Sequence, residues 1–283
     1  MSRLPWLNAL LVAVVAALGA LVYFKPGGNA PAEYALSNLK PAEIKSIRIE
    51  RRGAAGIALD RNESGWVMTA PLAARADEAR VLRLLEIIEA KSASRMAAQG
   101  LERFELERPA IRVIFAGQSF SFGMVNELTR EQYVMTGGAV YTVSPRYGTA
   151  LPADPVDLAS RQLLGPGEIP VRIALKEFAV EQRNGKWTLL PAPAAELSQD
   201  DLARWAEGWR LASAIRVEPF VGGKDRSDIH IQLKSGGSLT LGMLANGSSL
   251  VLTRPDEKLQ YHFRIDAAKR LLSPPAAEQH KKP

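Results

Sequence analysis

Apolar residues recur along this chain at two different spacings, which together predict a mixed α+β fold. Ile47 and Ile49 alternate with polar neighbours, as in a half-buried strand, and several later segments repeat that alternation. Leu84 and Ile88 instead lie four residues apart, on what would be the apolar face of a helix. Asp77 stands just before that helix, where its carboxylate can accept hydrogen bonds from free backbone N–H groups.

The same order of elements occurs twice. A strand carrying Trp66, a turn with Pro71 and an amphipathic helix return later as a strand carrying Trp187, a turn with Pro191 and a helix that begins near Ser198. Apolar strands and hairpins follow the helix in both halves, among them a hairpin that turns at Gly137-Gly138. A short helix is expected from Val156 to Leu164, at the end of the first half. The sequence therefore predicts two tandem related units of antiparallel strands, each with one main helix.

Residues 5–24 form an almost uninterrupted apolar run. About 19 residues at roughly 1.5 Å each span the roughly 30 Å hydrocarbon core of a bilayer, and Trp6 and Tyr23 suit its two interfaces. We expect an uncleaved transmembrane helix with the N-terminus in the cytoplasm and the bulk of the chain outside. The alternative is a signal peptide cleaved near Ala17-Leu18-Gly19, but the run is longer than a usual signal core.

These patterns divide the chain into five segments. The predicted order is a transmembrane anchor, a tether, a first α+β unit, a second α+β unit and a disordered polar tail. Their boundaries fall at residues 1–25, 26–43, 44–164, 165–274 and 275–283.

Composition narrows the classes of function. An apolar content of 47% and a charged content of 23% are typical of a globular protein. The net charge of +6 comes from basic residues scattered among acidic ones, so we expect no nucleic-acid partner, although a mildly basic surface suits an anionic membrane. The chain has no cysteine, which excludes disulfides, thiolate metal sites and cysteine nucleophiles.

Histidines and paired acids are the first candidates for chemistry. His230 and His262 lie on strands that could be neighbours. Their positions in the sequence place no third metal ligand beside them, so we interpret both as structural or surface residues. Asp77-Glu78 and Asp200-Asp201 open helices, where carboxylates cap N–H groups and complement the helix dipole. We interpret these pairs as caps rather than as catalytic acids.

The remaining candidate motifs also favour a structural role over a binding or catalytic one. Trp205 and Trp209 could form a platform that stacks on sugars, but their helical spacing favours a place in the core. Gly222-Gly223-Lys224 lacks the rest of a phosphate-binding loop, and Ser64 and Ser235 lack the context of a nucleophile. We therefore predict no catalytic residue, no metal site, no cofactor-binding residue and no cofactor.

The first half of the chain resembles a known family. A Phe-x-Leu-x-x-Pro element at Phe104, Leu106 and Pro109 and a later Phe122-Gly123 pair are its most telling features, and they resemble the domain-of-unknown-function 4340 family of bacterial proteins. The second unit has Val217-Glu218-Pro219-Phe220 in place of that element. The resemblance implies a membrane-anchored, extracytoplasmic accessory protein encoded beside ABC transporters of the gliding-motility kind. It implies no catalytic residues.

Three hypotheses for function follow. The leading one is a non-enzymatic periplasmic accessory or assembly protein of an ABC-type transport system, anchored in the bacterial inner membrane and bound to the permease and ATPase subunits. The alternative is a periplasmic binding module that takes a glycan or lipid in a cleft between the two units, motivated by Trp187, Trp205 and Trp209. A cell-envelope hydrolase is the third and would need a carboxylate pair that converges in a cleft.

Overall fold

The chain folds as an α+β protein whose β-sheets are antiparallel. The computed structural model describes residues 4–23, 33–192, 197–220, 222, 227–246 and 249–275. Every pairing between named strands in these residues is antiparallel, so the predicted α+β class with antiparallel strands is confirmed. Part of the predicted tether, residues 26–32, and the predicted tail from residue 276 lie outside the described residues.

The described residues contain five α-helices and four short 3-10 helices. The α-helices are α1 (Leu4–Tyr23), α2 (Glu78–Leu85), α3 (Arg146–Thr149), α4 (Gln199–Arg210) and α5 (Ile265–Leu272). The 3-10 helices are Pro41–Glu43, Glu86–Glu89, Leu101–Phe104 and Pro155–Leu158.

The predicted N-terminal helix is present as α1. It has 20 residues and no charged side chain. Its described side chains, Trp6 and residues 9–20, are all exposed. Judged on the described residues, no helix has the length and apolar character needed to cross a membrane.

The first sheet occupies the first half of the chain and has nine strands. Its order is β5-β4-β3-β2-β8-β9-β10-β11-β7, while β1 and β6 form a separate pair. The strands are β1 (Tyr34–Ala35), β2 (Ser46–Arg51), β3 (Ile57–Asn62), β4 (Gly65–Ala70), β5 (Ala74–Arg75), β6 (Lys91–Ser92), β7 (Arg95–Ala97), β8 (Ile111–Phe115), β9 (Gln118–Val125), β10 (Gln132–Thr136) and β11 (Ala139–Val143).

The second sheet has eight strands in the order β14-β13-β12-β16-β17-β18-β19-β15. If the edge strand β5 is left out, the strands of the first sheet have the same relative order. In each sheet, the first of its strands to follow the helix, β7 or β15, lies at one edge. The strands are β12 (Pro170–Ala174), β13 (Ala179–Arg183), β14 (Lys186–Leu190), β15 (Arg216–Pro219), β16 (Ser227–Leu233), β17 (Ser238–Asn246), β18 (Ser249–Arg254) and β19 (Leu259–Phe263).

Each sheet packs one face against a helix, and local sequence sets where that helix begins. The Asp77 side chain accepts a hydrogen bond from the Arg80 N–H at the start of α2, and Ser198 does the same for Asp201 at the start of α4. Leu84 and Ile88 are buried against the first sheet, as their spacing predicts. Their burial removes apolar surface from water and fixes the helix to the sheet.

The segment before the second sheet differs from the sequence prediction. A helix was expected from Val156 to Leu164, but only the 3-10 turn Pro155–Leu158 forms. Ala159 then bridges to Ala76, and the Leu163 N–H donates to the Ala212 carbonyl oxygen, so backbone bonds to other segments replace those of a helix. The prediction failed because an extended chain here joins the two sheets.

The end of the predicted tether also packs against the first unit. Leu36 is 4% exposed and lies in the first core, and its N–H donates to the Ala90 carbonyl oxygen. Tyr34–Ala35 pairs with Lys91–Ser92 as a short two-stranded sheet. The folded body therefore begins before residue 44.

The Phe104 to Leu106 segment covers the outer face of the first sheet. Val134 on β10 belongs to the main core, whereas its neighbour Tyr133 packs with Phe104 and Leu106 on the other face. The rings of Phe104 and Tyr133 have centroids 4.6 Å apart. A Cβ atom at Gly123 would lie 2.2 Å from the Phe104 carbonyl oxygen, so only glycine allows this approach.

Candidate functional site

A groove of about 770 Å³ runs between α4 and α5 on the second unit. One stripe of α4 faces it, with its members at helical spacings of three and four residues. Those members are Asp201, Arg204, Trp205 and Gly208. A Cβ atom at Gly208 would meet nothing within 4 Å, so this glycine leaves the middle of the groove open.

Trp205 is held firmly at the base of the groove. Its indole Nε1–H donates to the Ser273 carbonyl oxygen at 2.9 Å, which ties α4 to the residue after α5. Its ring centroid lies 6.0 Å from that of Trp209 and 5.6 Å from that of Phe178. Trp205 is 8% exposed, and Phe263 beside the groove is 2% exposed, so the floor is a fixed aromatic surface.

Basic side chains border this apolar floor. Arg204 lies 3.2 Å from Asp201 and is paired with it. A hydrogen bond from the Ser198 hydroxyl, together with Arg204, holds the pKa of Asp201 below its usual value, so this carboxylate is ionised and engaged. Lys269 and Arg270 are exposed and make no ion pair with any residue in the described part of the chain. The border of the groove therefore carries unmatched positive charge.

A second polar feature joins the two sheets and is much more deeply buried. Arg75 on β5 approaches Glu257 with Nε and Oε1 2.6 Å apart, and it also donates to the carbonyl oxygens of Gln162 and Leu163. Arg254 is 2% exposed and donates to both carboxylate oxygens of Glu168, at 2.8 and 2.9 Å. We call Arg75, Glu168, Arg254, Asp256, Glu257 and Tyr261 the ionic junction.

Charge pairing sets the protonation of the ionic junction. Burial alone would raise the pKa of Glu168, but hydrogen bonds from Arg254 and the Gly165 N–H outweigh it, so this pKa is lowered. The pKa of Asp256 is lowered for the same reason, since Arg254 again outweighs burial. Burial and the nearby Glu257 carboxylate raise the pKa of the Tyr261 hydroxyl. Glu168 and Asp256 are therefore ionised, and Arg254 holds both carboxylates.

Three smaller cavities lie between α2, the 149–158 segment and β15. Their volumes are about 230, 80 and 300 Å³, and neighbouring cavities share lining residues. Arginines from four parts of the chain line them: Arg80, Arg83, Arg146, Arg161 and Arg216. We call this the basic groove. The side chains of Arg83 and Arg161 make no hydrogen bond or ion pair with a described residue.

The two strand histidines do not meet. His230 lies on β16 and His262 on β19, and two other strands separate these in the sheet. His230 Nδ1 is 3.3 Å from the Thr240 hydroxyl, and His262 Nε2 is 3.0 Å from a Glu218 carboxylate oxygen. No group of three metal-binding side chains comes together within the described residues.

The tryptophans occupy different environments. Trp209 is fully buried and Trp205 is nearly so, which confirms that both belong to the core of the second unit. Trp187 is half-buried, and its backbone N–H and C=O bond to the Gln199 side chain, so it fastens β14 to α4. The predicted cleft between the units does not contain the three tryptophans together; the groove that includes Trp205 lies within the second unit.

The other residues weighed as possible catalytic groups lie at helix starts and in turns. Asp77 and the Asp200-Asp201 pair stand at helix starts, and Asp77 is a cap as predicted. Ser64 lies in the turn before β4, where its N–H donates to Asn62. Ser235 lies in the turn between β16 and β17. In the Gly222-Gly223-Lys224 stretch, only Gly222 is among the described residues.

Sequence reasoning missed the ionic junction and the groove. Arg75 and Glu257 are 182 residues apart, and no spacing connects them. The groove requires α5 and the residues after it to fold back onto α4, which periodicity does not predict. The only local signal was Arg254 close to Asp256 and Glu257, an ordinary charged turn in the sequence.

Comparison with known families identifies the chain. The family model described as Domain of unknown function (DUF4340) matches residues 66–210, from β4 in the first sheet to the last residue of α4. No curated protein and no solved structure matches the chain. The matched region includes Phe104, Leu106 and Gly123, the residues on which the resemblance in the sequence rests. Because the match covers just over half of the 283 residues, the protein belongs to the DUF4340 family.

Proposed function

We propose that this protein is a non-enzymatic, membrane-anchored accessory or assembly component of an ABC-type transport system. In this proposal α1 lies in the bacterial inner membrane with its N-terminus in the cytoplasm, and both sheets lie in the periplasm. The observation that carries the proposal is α1, a helix of 20 uncharged residues whose described side chains are all exposed.

The physical argument concerns the surroundings that α1 needs. All 20 residues of α1 form the span in this proposal, including those whose side chains lie outside the described set. A helix of that length is roughly 30 Å long, the thickness of the hydrocarbon core. Leu11, Val12 and Val15 are each more than half exposed, so the helix offers apolar surface that the rest of the chain does not cover. A helix apolar on all sides is stable in lipid or within a larger assembly.

The two sheets support a scaffold role. We infer that they are tandem related units, because their strands share one relative order and Trp66 and Trp187 stand on corresponding strands. The ionic junction and the extended chain around Ala159 tie the two units together. A body tied in this way can present a surface of constant shape to a partner subunit.

The basic groove supplies a surface for that partner. It draws arginines from both units, and Arg83 and Arg161 have side chains that no described residue pairs. An acidic protein surface complements such a groove, since charge complementarity steers association and suppresses wrong partners. We therefore place the partner contact across the junction between the units.

The carboxylates of the ionic junction support a non-enzymatic role over a hydrolase. Glu168, Asp256 and Glu257 are each engaged by Arg75 or Arg254. A hydrolase of the envelope would need a carboxylate with a raised pKa facing a cleft. Glu168 and Asp256 instead have lowered pKa values.

The direct test is crosslinking and co-purification of the tagged full chain from native membranes, with partners identified by mass spectrometry. We expect an ABC permease and its ATPase to be recovered. The double variant Arg83→Glu and Arg161→Glu should lose them, whereas Lys45→Glu, a change at an exposed cation outside the basic groove, should retain them. Recovery of the chain without transporter subunits would refute the accessory role.

A second candidate function is ligand binding, and the groove between α4 and α5 favours it. Its volume of about 770 Å³ falls in the range of small-molecule sites. Glycan binding requires an exposed aromatic face, and Trp205 and Trp209 are 8% and 0% exposed. A lipid-like ligand suits the apolar floor better than a glycan does.

A further inference from the structure

We propose that the groove between α4 and α5 binds a single-chain anionic amphiphile, a molecule with one acyl tail and a carboxylate or phosphate head. This inference rests on the second candidate function and names its ligand class. It is independent of whether the protein also binds transporter subunits.

The tail would lie along the apolar floor. Trp205, Phe263 and Leu271 are buried side chains that line the groove, and each is less than 10% exposed. Leu211 at the end of α4 also lines it and is 58% exposed. An acyl chain laid here would cover Leu211 and fill the opening at Gly208, which removes apolar surface from water on both partners.

The head group would lie at the basic border. Arg204 already neutralises Asp201, so the charges left for a ligand are those of Lys269 and Arg270 on α5. Both are exposed and unpaired within the described residues, so they keep their mobility and can approach an anion at the mouth of the groove. Apolar floor and cationic border together match an amphiphile with a negative head.

The chain's own C-terminal segment is a weaker match for the groove. Pro275 lines the groove, and the sequence that follows it is polar, with Lys281 and Lys282 near its end. Polar residues would gain little from the apolar floor, and lysines would face Lys269 and Arg270 with like charge. The groove therefore suits a separate molecule.

The test measures palmitate binding by isothermal titration calorimetry, with the full chain in nanodiscs of zwitterionic lipid and empty nanodiscs as the blank. Gly208→Phe fills the groove. Gly208→Ala also replaces glycine with a residue of higher helix propensity but leaves the groove open, so it is the matched control. Lys269→Gln with Arg270→Gln removes the border charge. Arg264→Gln removes an exposed cation at the start of α5 that does not line the groove.

We expect palmitate to bind the wild type and Gly208→Ala equally, and Gly208→Phe to lose roughly tenfold or more in affinity. The two border substitutions should weaken binding by about two- to fivefold per charge, and Arg264→Gln should not. The uncharged monoglyceride of the same chain should bind more weakly than palmitate and should not respond to the border substitutions.

The inference would be overturned by an absence of palmitate binding above the blank, by full binding in Gly208→Phe or in the border variants, or by equal affinity for palmitate and the monoglyceride. A chain ending at Pro275 that binds palmitate more tightly would identify the tail as the resident occupant and overturn it too. If Gly208→Phe fails to fold, the border variants still decide the outcome. Co-purification of transporter subunits does not depend on these residues, so the two proposals fail separately.

Discussion

Arg75 Nε lies 2.6 Å from Glu257 Oε1, which bonds the edge of the first sheet to the turn after β18 in the second. The same guanidinium donates to the carbonyl oxygens of Gln162 and Leu163 in the connecting chain. Glu257 is 6% exposed and also accepts from the Tyr261 hydroxyl. This one arginine therefore touches all three parts of the junction between the units.

Replacing Arg75 with methionine should destabilise the protein by about 2–4 kcal/mol. The buried Glu257 carboxylate would lose its closest cationic partner and keep only Arg254, 3.5 Å away, and the Tyr261 hydroxyl, and this loss causes most of the destabilisation. We place the effect toward the lower end for buried pairs because the Arg75 side chain is 21% exposed. Urea unfolding of the full chain in nanodiscs, followed by tryptophan fluorescence, measures the change.

Arg112→Met is the matched control for that substitution. Arg112 pairs with Glu50 at 3.2 Å on the surface of the first sheet, where the two side chains are 40% and 57% exposed. Its loss should cost less than about 1 kcal/mol. Equal effects of the two substitutions would show that the ionic junction does not hold the units together.

Stability should fall in acid because of Glu168 and Asp256. Both carboxyl groups have lowered pKa values in the folded protein, since Arg254 outweighs the effect of burial. A lowered folded pKa means that the stabilisation is complete above the unfolded value, about pH 4, and is lost as the pH falls through the folded value. Unfolding curves between pH 7 and pH 2 would show this loss.

Glu168→Gln identifies the source of that acid loss. The wild type should be more stable than this variant at pH 7, and the difference should shrink as the pH falls below about 4. The arginines of the junction stay charged throughout this range and cannot produce the change. A difference that stays constant down to pH 2 would contradict the assignment.

Gly123→Ala should destabilise the first unit by about 1–3 kcal/mol. Its Cβ would lie 2.2 Å from the Phe104 carbonyl oxygen and 2.9 Å from Leu106 Cγ, so the backbone of the covering segment must move. Gly208→Ala should have the opposite effect. A Cβ atom there meets nothing within 4 Å, and replacing a glycine inside a helix with alanine stabilises the folded protein by about 0.5–1 kcal/mol. Unfolding measurements that give both substitutions the same sign would refute this account of the two glycines.

Val14→Arg should reduce membrane association if α1 is the anchor. A charge near the middle of a spanning helix costs about 2.5–3.5 kcal/mol on insertion. The fraction of chain that stays with membranes after alkaline carbonate extraction measures the effect. Ala54→Arg adds the same charge in an exposed turn of the first sheet and should leave that fraction unchanged.

Some strands and tight turns were predictable from local patterns. Alternation at Ile47 and Ile49 and the turn at Gly137-Gly138 correspond to a strand and a hairpin in the structure. These predictions held because strand faces and tight turns depend on neighbouring residues. The expected helix from Val156 to Leu164 failed because backbone bonds to Ala76 and Ala212 in distant segments compete there.

By itself the sequence determined the α+β class, the doubled order of elements, the helix starts at Asp77 and Ser198, and the family. Each of these depends on residues close together in the chain or on a motif that can be read directly. Tertiary structure alone decided the ionic junction, the contact of Gly123 with Phe104 and the groove at Gly208. Those features arise where distant segments meet, and the free energy of such contacts depends on packing and charge that no local pattern encodes.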